Sequence, residues 1–303
     1  HRDLHSFPTR RSSDLLRKVL CYSLNNQLGF MVVGIGIGTE LALNGAIAHA
    51  FVHILYKALL FMSMGAVLYR TGTIRASELG GLYRSMPWTA AFCIVGAMSI
   101  SAFPLFSGFV AKSLTMSAVI EGYYVLTFIG LLVASAGVME HSGIKIPYFA
   151  FFGRDSGIRC QEAPLHMCLA MGVAAVLCIG IGCFPDLLYA LLPYPVDYEP
   201  YADFGHSLTQ FQLLLFAALA FAVLLRMGLY PPEQNAINLD TDWFYRRLAP
   251  NVIHSITNNL ANVTDRLTAT TRLAGRTLMR SVIRHYGPEG TLARTWPTGS
   301  MVL

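Results

Sequence analysis

Charge is what this chain has least of. Asp, Glu, Lys and Arg make up 13% of its 303 residues, where an average soluble domain carries about 25%. With 54% apolar side chains and a mean hydropathy of +0.50, that composition excludes an ordinary water-soluble domain, and intrinsic disorder with it. Cysteine is scarce and badly spaced for chemistry. Cys21, Cys93, Cys160, Cys168, Cys178 and Cys183 form no CxxC pair and no structural-zinc spacing. A disulfide-stapled secreted module is therefore excluded, and buried free thiols remain. The chain also has no GxGxxG fingerprint, no nucleotide-binding loop and no iron–sulfur cysteine run. Nothing marks a catalytic residue, so no cofactor or metal is expected and the chain does not read as an enzyme.

What is present is apolar and long. Crossing a bilayer takes about 20 apolar residues in a helix, and the chain offers runs at 22–38, 46–69, 87–118, 123–139, 165–192 and 207–230. The third run would measure about 48 Å as one straight helix. Its middle holds Pro104, Ser107 and Gly108, which cannot continue a regular helix, so one span broken in the middle is predicted. The fold class predicted is an all-α, polytopic transmembrane helix bundle of about six spans over residues 16–230.

The few charges alternate. Arg17 and Lys18 precede the first span, and 39–45 has Glu40 alone. Residues 70–86 hold Arg70, Arg75 and Arg84, and 119–122 hold only Glu121. Residues 140–164 supply Lys145, Arg154 and Arg159, whereas 193–206 has three acids and no base. Seven arginines follow in 231–291. Basic loops mark the cytoplasmic side of a membrane, so the net charge of +5 is a topology signal and not a nucleic-acid footprint. The localisation predicted is a bacterial-type inner membrane with the basic loops cytoplasmic.

The ends read differently from the middle. Residues 1–15 are polar, and Thr9–Leu15 (TRRSSDL) resembles the translation of a common sequencing-library adapter, so this segment is expected to be non-native. Residues 231–291 are predicted to be a cytoplasmic basic amphipathic segment. Ile253, Ile256, Leu260, Val263, Leu267, Ala274, Leu278 and Val282 fall on one helical face, and Arg272, Arg276, Arg280 and Arg284 on another. A helix lying on anionic headgroups and a docking helix for a partner subunit both fit. Residues 292–303 are expected to begin a truncated final span.

Four ionisable residues carry the chemistry. His49, His53 and Lys57 stand at i, i+4 and i+8 on one face of the second span. Lys112 follows the break in the third. Each such group at membrane depth costs about 2–3 kcal/mol or more to insert. The stripe is open to three readings: helix packing with a snorkelling lysine, a haem or metal site on the histidine pair, and a proton pathway. Titration near neutral pH favours the last. Lys112 reads as either a snorkelling end residue or a buried titrating group.

Taken together, these segments resemble the antiporter-like membrane subunits shared by Mrp-type monovalent cation/proton antiporters and respiratory complex I. The carriers are Arg17–Ser23, Gln27–Phe30, His49–Phe61, Glu78–Leu82 and Pro104–Lys112, in that order. The wording of 30–120, with Gly38–Gly45, resembles the D-type antiporter component, and 120–303 matches only as further spans. The resemblance implies two inverted five-helix repeats, each with a broken helix and a lysine-bearing half-channel, joined by a polar axis. It would place His49, His53 and Lys57 on the axis and second half-channel, and Lys112 near the exit. The family usually has Lys where Arg17 stands, and its first repeat would lie before residue 16. The expected function is a proton-translocating subunit of a multi-subunit monovalent cation (Na+)/proton antiporter. The alternative is a proton-pumping subunit of an NADH:quinone oxidoreductase or membrane hydrogenase. Its expected partners are protons, Na+ or another monovalent cation, other membrane subunits and the lipid bilayer.

Overall fold

A computed structural model of the chain describes residues 14–202, 204–230, 243–290 and 292. The chain divides into two compact units, His1–Asn238 and Leu239–Leu303. The first is a helix bundle: α1 Leu16–Ile37, α2 Glu40–Thr71, α3 Pro87–Ile100, α4 Ser107–Glu121, α5 Val125–Phe152, α6 Leu165–Cys183 and α7 Phe204–Arg226. Five of these, α1, α2, α5, α6 and α7, are long and apolar enough to span a bilayer. α3 and α4 are the two halves of the predicted broken span.

α2 is the centre of the bundle. At 32 residues it is about 48 Å long, and α1, α3, α4 and α6 all pack around it. Local chemistry sets its ends. Gly38 turns the chain out of α1 with φ 76°, and the Thr39 hydroxyl then caps α2 by accepting the Ala42 N–H at 3.3 Å. Large apolar side chains such as Val32, Leu126, Val133, Val173 and Phe216 point out of the bundle. In water that surface would be a liability; in lipid it is the outer face.

Contacts sort the connections into two ends. The Ala76 N–H donates to the Asp14 carbonyl and the Leu16 N–H to the Ile74 carbonyl, which ties the start of α1 to 74–76. The Ser156 N–H donates to the Gly80 carbonyl, and Arg84 and Arg159 meet Asp155, so 153–159 joins the same end. The guanidinium of Arg159 holds the Asp155 carboxyl well below the usual carboxylate range. At the other end Asn44 and Tyr194 exchange two hydrogen bonds, of 2.9 and 3.2 Å. There Glu121 also lines one depression with Asp197 and Glu199.

Boundaries differ from those read in the sequence, among them the start of α2 at Glu40 rather than 46. Residues 140–152 are not loop: α5 continues to Phe152 through π-helical turns at Met139–Ile144 and Tyr148–Phe152, which bracket Pro147. The wide turns accommodate a residue that has no N–H to donate. Lys145, counted above among loop charges, is buried in the bundle. α6 stops at Cys183 rather than 192, because Pro185 disfavours helix at Phe184. α1 starts at Leu16, six residues early, so Arg17 and Lys18 form its first turn.

The second unit is built on a π-helical turn, Phe244–Leu248, running into α8, Ala249–Tyr286. No residue of α8 is buried, and Ile253, Ile256, Leu260, Val263 and Leu267 are exposed along it. Residues 1–13 of the expected non-native segment, and 293–303 of the expected final span, lie outside the described residues.

Candidate ion-pathway site

The break between α3 and α4 is built from small polar residues. α3 ends at Ile100, and Ala102 and Leu105 take left-handed backbone with φ 59° and 71°. Pro104 stands between them, with no N–H to carry a helix onward. Across the break the Ser99 and Ser107 hydroxyls hydrogen-bond at 2.8 Å. Gly108 lies directly under the Ser99 carbonyl, where a Cβ would collide. Tyr201 locks the outside of the turn: its hydroxyl accepts the Leu105 N–H at 3.1 Å and donates to the Gly182 carbonyl at 2.5 Å. Burial pushes that phenol up to about 12.

The broken helix gives Lys112 its partner. A helix end leaves carbonyls without intrahelical donors, and the Lys112 ammonium donates to one of them, Ile100 O, at 2.9 Å. It also sits 5.0 Å from the centre of the Phe30 ring. The side chain is buried, so this is an interior lysine and not a snorkelling one.

The stripe on α2 is equally internal. His49, His53 and Lys57 are all buried. Lys57 donates to the Leu20 carbonyl at 2.8 Å and to the Ser23 hydroxyl, both on α1. The His49 Nε2 lies 3.0 Å from both Gln27 Oε1 and the Tyr56 hydroxyl, and Tyr56 donates to Gln27. The His49 Nδ1 has no protein partner. His53 Nε2 likewise has none. Aromatic edges bridge the intervals: Phe30 to His49 at 5.8 Å, His49 to His53 at 6.4 Å, His53 to Tyr56 at 5.4 Å.

The four predicted residues therefore fall in one internal row, Lys112–His49–His53–Lys57, with Phe30 between Lys112 and His49. Neither lysine forms an ion pair among the described residues. The sequence reading assigned no role to Gln27, Tyr56, Ser23 or Phe30. Two of these had a legible signal: Gln27 is an amide in an apolar span, and Tyr56 stands at i+7 from His49. Ser23 and Phe30 had none, because their roles come from what α2 and α4 bring to α1. As for metal chemistry, the described residues contain no group of three His, Cys, Asp or Glu placed to hold an ion.

Comparison with known proteins adds a family match. Residues 8–138 match the model of the proton-antiporter membrane family described as NADH:quinone oxidoreductase/Mrp antiporter, TM. The range begins inside the first fifteen residues and contains the whole row. The D component of the Na(+)/H(+) antiporter of Alkalihalophilus pseudofirmus is 32% identical over 180 residues, 58% of this chain and 36% of that one. The hydrogenase-4 component B of Escherichia coli is 29% identical over 189 residues, 55% of this chain and 28% of that one. Among solved structures, the membrane-bound sulfane sulfur reductase, an archaeal respiratory membrane complex, has a chain that superposes with a TM-score of 0.52. It is 26% identical, covering 91% of this chain and 49% of that one. The chain thus spans little more than a third of the first relative's length and less than a third of the second's.

Proposed function

We propose that the chain, whose residues 8–138 match the membrane family described as NADH:quinone oxidoreductase/Mrp antiporter, TM, belongs to that family and is a proton-translocating subunit of a multi-subunit monovalent cation/proton antiporter, with Na+ the cation. The observation that carries this is the row itself: two lysines and two histidines inside a lipid-facing bundle, of which Lys57, Lys112 and His49 bond to carbonyls, hydroxyls and an amide and not to carboxylates. A charge at that depth is costly, and groups that can lose it are suited to passing protons. In this reading His49, His53, Lys57 and Lys112 form the path, and the Pro104–Gly108 break supplies the carbonyl that receives Lys112. The reading makes the chain a transport subunit with no redox or hydrolytic site of its own. The end carrying Arg17, Arg75, Arg84 and Arg159 faces the cytoplasm of a bacterial-type cell, and α8 docks on lipid headgroups or on a partner subunit.

The hydrogenase relative favours a second reading, a proton-pumping subunit of a quinone- or hydrogen-linked respiratory complex, which would use the same row. The assay uses inverted vesicles carrying the full-length parent in its complex. Lys112→Ala should nearly abolish dissipation of a pH gradient on adding Na+, and Lys112→Arg should not restore it, since a guanidinium stays protonated. Normal activity of Lys112→Ala would overturn the proposal. Proton movement that responds to electron-donor oxidation and not to Na+ would select the second reading.

A further inference from the structure

A groove of about 670 Å³ runs along the outside of the bundle between α3 and α6. Its walls are Trp88 and Phe92 on α3 and a stripe at helical spacing on α6, from Leu165 through Leu169 and Val173 to Leu177. Trp88, Leu165, Leu169 and Val173 are exposed, so nothing among the described residues covers it. Gly172 forms part of the floor, where an added Cβ would only touch the Phe92 ring, at 3.6 Å. Trp88 and Glu162 stand at the mouth, at the end of the bundle that carries the arginines. From Leu165 to Leu177 the stripe descends about 18 Å, and half of a bilayer's hydrocarbon core is about 15 Å. The groove has the depth of one leaflet.

Its mouth has a cation to spare. Ser63 of α2 meets Met171 of α6 at 3.6 Å, and the two helices run in opposite directions, so Arg70, seven residues past Ser63, comes level with Pro164. The Arg70 Nε is buried without a hydrogen-bond partner, and its guanidinium lies 5.5 Å from the centre of the Tyr69 ring. The acid at the rim does not neutralise it, because Glu162 accepts the Trp88 N–H, the Thr89 hydroxyl and the Ala163 N–H. Burial pushes the nearby Cys160 thiol up, with the Arg70 charge opposing and the Glu162 charge adding, so guanidinium and rim share one neighbourhood. Tyr69 and Trp88, both exposed at this level, are the aromatic pair expected where a membrane meets water.

We propose that this groove is a phospholipid site, in which one acyl chain lies between α3 and α6 in the leaflet on the arginine side and Arg70 donates to the lipid phosphate. The phosphate supplies the anion and the acceptor oxygens that Arg70 lacks. The chain supplies an apolar filling of matching depth. A helix of a partner subunit fits the groove poorly. It would be 10–12 Å across and would cross both leaflets, whereas the groove stops after one. Helix contacts in membranes also favour small residues, and these walls are Trp, Phe, Leu and Val. The site is independent of the transport reading above.

The test uses the full-length parent assembled in its complex and a phosphatidylethanolamine that carries a photoreactive diazirine midway along one acyl chain. The complex is equilibrated with this lipid in vesicles and purified in detergent, so that loosely held lipid exchanges away. It is then irradiated, and the label is mapped by peptide mass spectrometry. Peptides holding Phe92 and Leu169–Leu177 should carry at least about tenfold more label than the α5 peptide with Leu126 and Val133, which faces bulk lipid. Arg70→Gln should cut the retained label about tenfold, the worth of a charge-assisted hydrogen bond, and Arg70→Lys should restore much of it. Gly172→Leu, which fills the floor, should bring the label down to the α5 level at unchanged assembly. Groove label no higher than that of α5 overturns the site, whether the lipid there is in free exchange or another subunit covers the groove. Undiminished label in Arg70→Gln or in Gly172→Leu overturns it as well, since the lipid would then be held by neither the phosphate contact nor the groove.

Discussion

An ammonium group inside a membrane protein has two stable options: pair with a carboxylate, or give up its proton. Lys57 and Lys112 have no carboxylate partner among the described residues: each donates to a backbone carbonyl, Leu20 O and Ile100 O respectively, a bond that the charged and the neutral amine can both make. Such a bond stabilises the cation only partly, so its occupancy responds to charge on the neighbours. His53 is the neighbour to test, because it lies next to Lys57 on the α2 face and its Nε2 has no protein partner. His53→Gln keeps much of the volume and a polar end but cannot ionise. It should cut Na+-driven proton movement by about tenfold or more at unchanged assembly, whereas His53→Lys should keep part of it. A packing histidine predicts the reverse, with Gln tolerated and the new charge disrupting the fold. Vesicle assays across about pH 6 to 9, matched for protein amount, separate the two.

At the scale of elements, the breaks carry more information than the helices. α3 is only about 21 Å long, and it is held at both ends by residues far away in sequence. At its start, Glu162 accepts the Trp88 N–H at 2.8 Å and the Thr89 hydroxyl at 2.6 Å, an N-terminal cap donated from the α5–α6 connection. At its finish, Tyr201 pins the turn that leads to α4. Glu162→Ala leaves the first-turn donors of α3 unmet and should cost about 1–2 kcal/mol. That loss would appear as a lower thermal midpoint of the detergent-solubilised complex, with Glu162→Gln losing less because its amide oxygen still accepts. A midpoint unchanged in Glu162→Ala would mean that water replaces the cap.

Over the whole first unit, the arginines of the connections gather at one end. Arg17, Arg75, Arg84 and Arg159 share one end with their connections in mutual contact, and Glu40, Glu121, Asp197 and Glu199 mark the other. This predicts opposite accessibility for two described positions. In a cysteine-free full-length parent, Glu199→Cys should label from outside the cell and Ser156→Cys only from inside. The same side for both would break the assignment of ends, and exchanged sides would invert it.

The sequence by itself determined the membrane class, the broken helix at Pro104–Gly108, the alternation of basic loops and the four ionisable residues of the row. Each of these is a local property: a count of apolar residues, a proline followed by glycine, the sign of a connection, a spacing of four on one helix. It could not determine the end of α5 or the burial of Lys145, because a polar stretch around Glu140–Lys145 reads as loop until neighbouring helices satisfy it. Nor could it show what the row touches. Gln27, Ser23 and Phe30 lie on α1 and Ile100 on α3, and their distances from His49, Lys57 and Lys112 are set by packing around α2 and not by spacing along the chain. A periodicity says which face of a helix a residue shares; only the tertiary structure brings that face to a particular carbonyl, hydroxyl or ring.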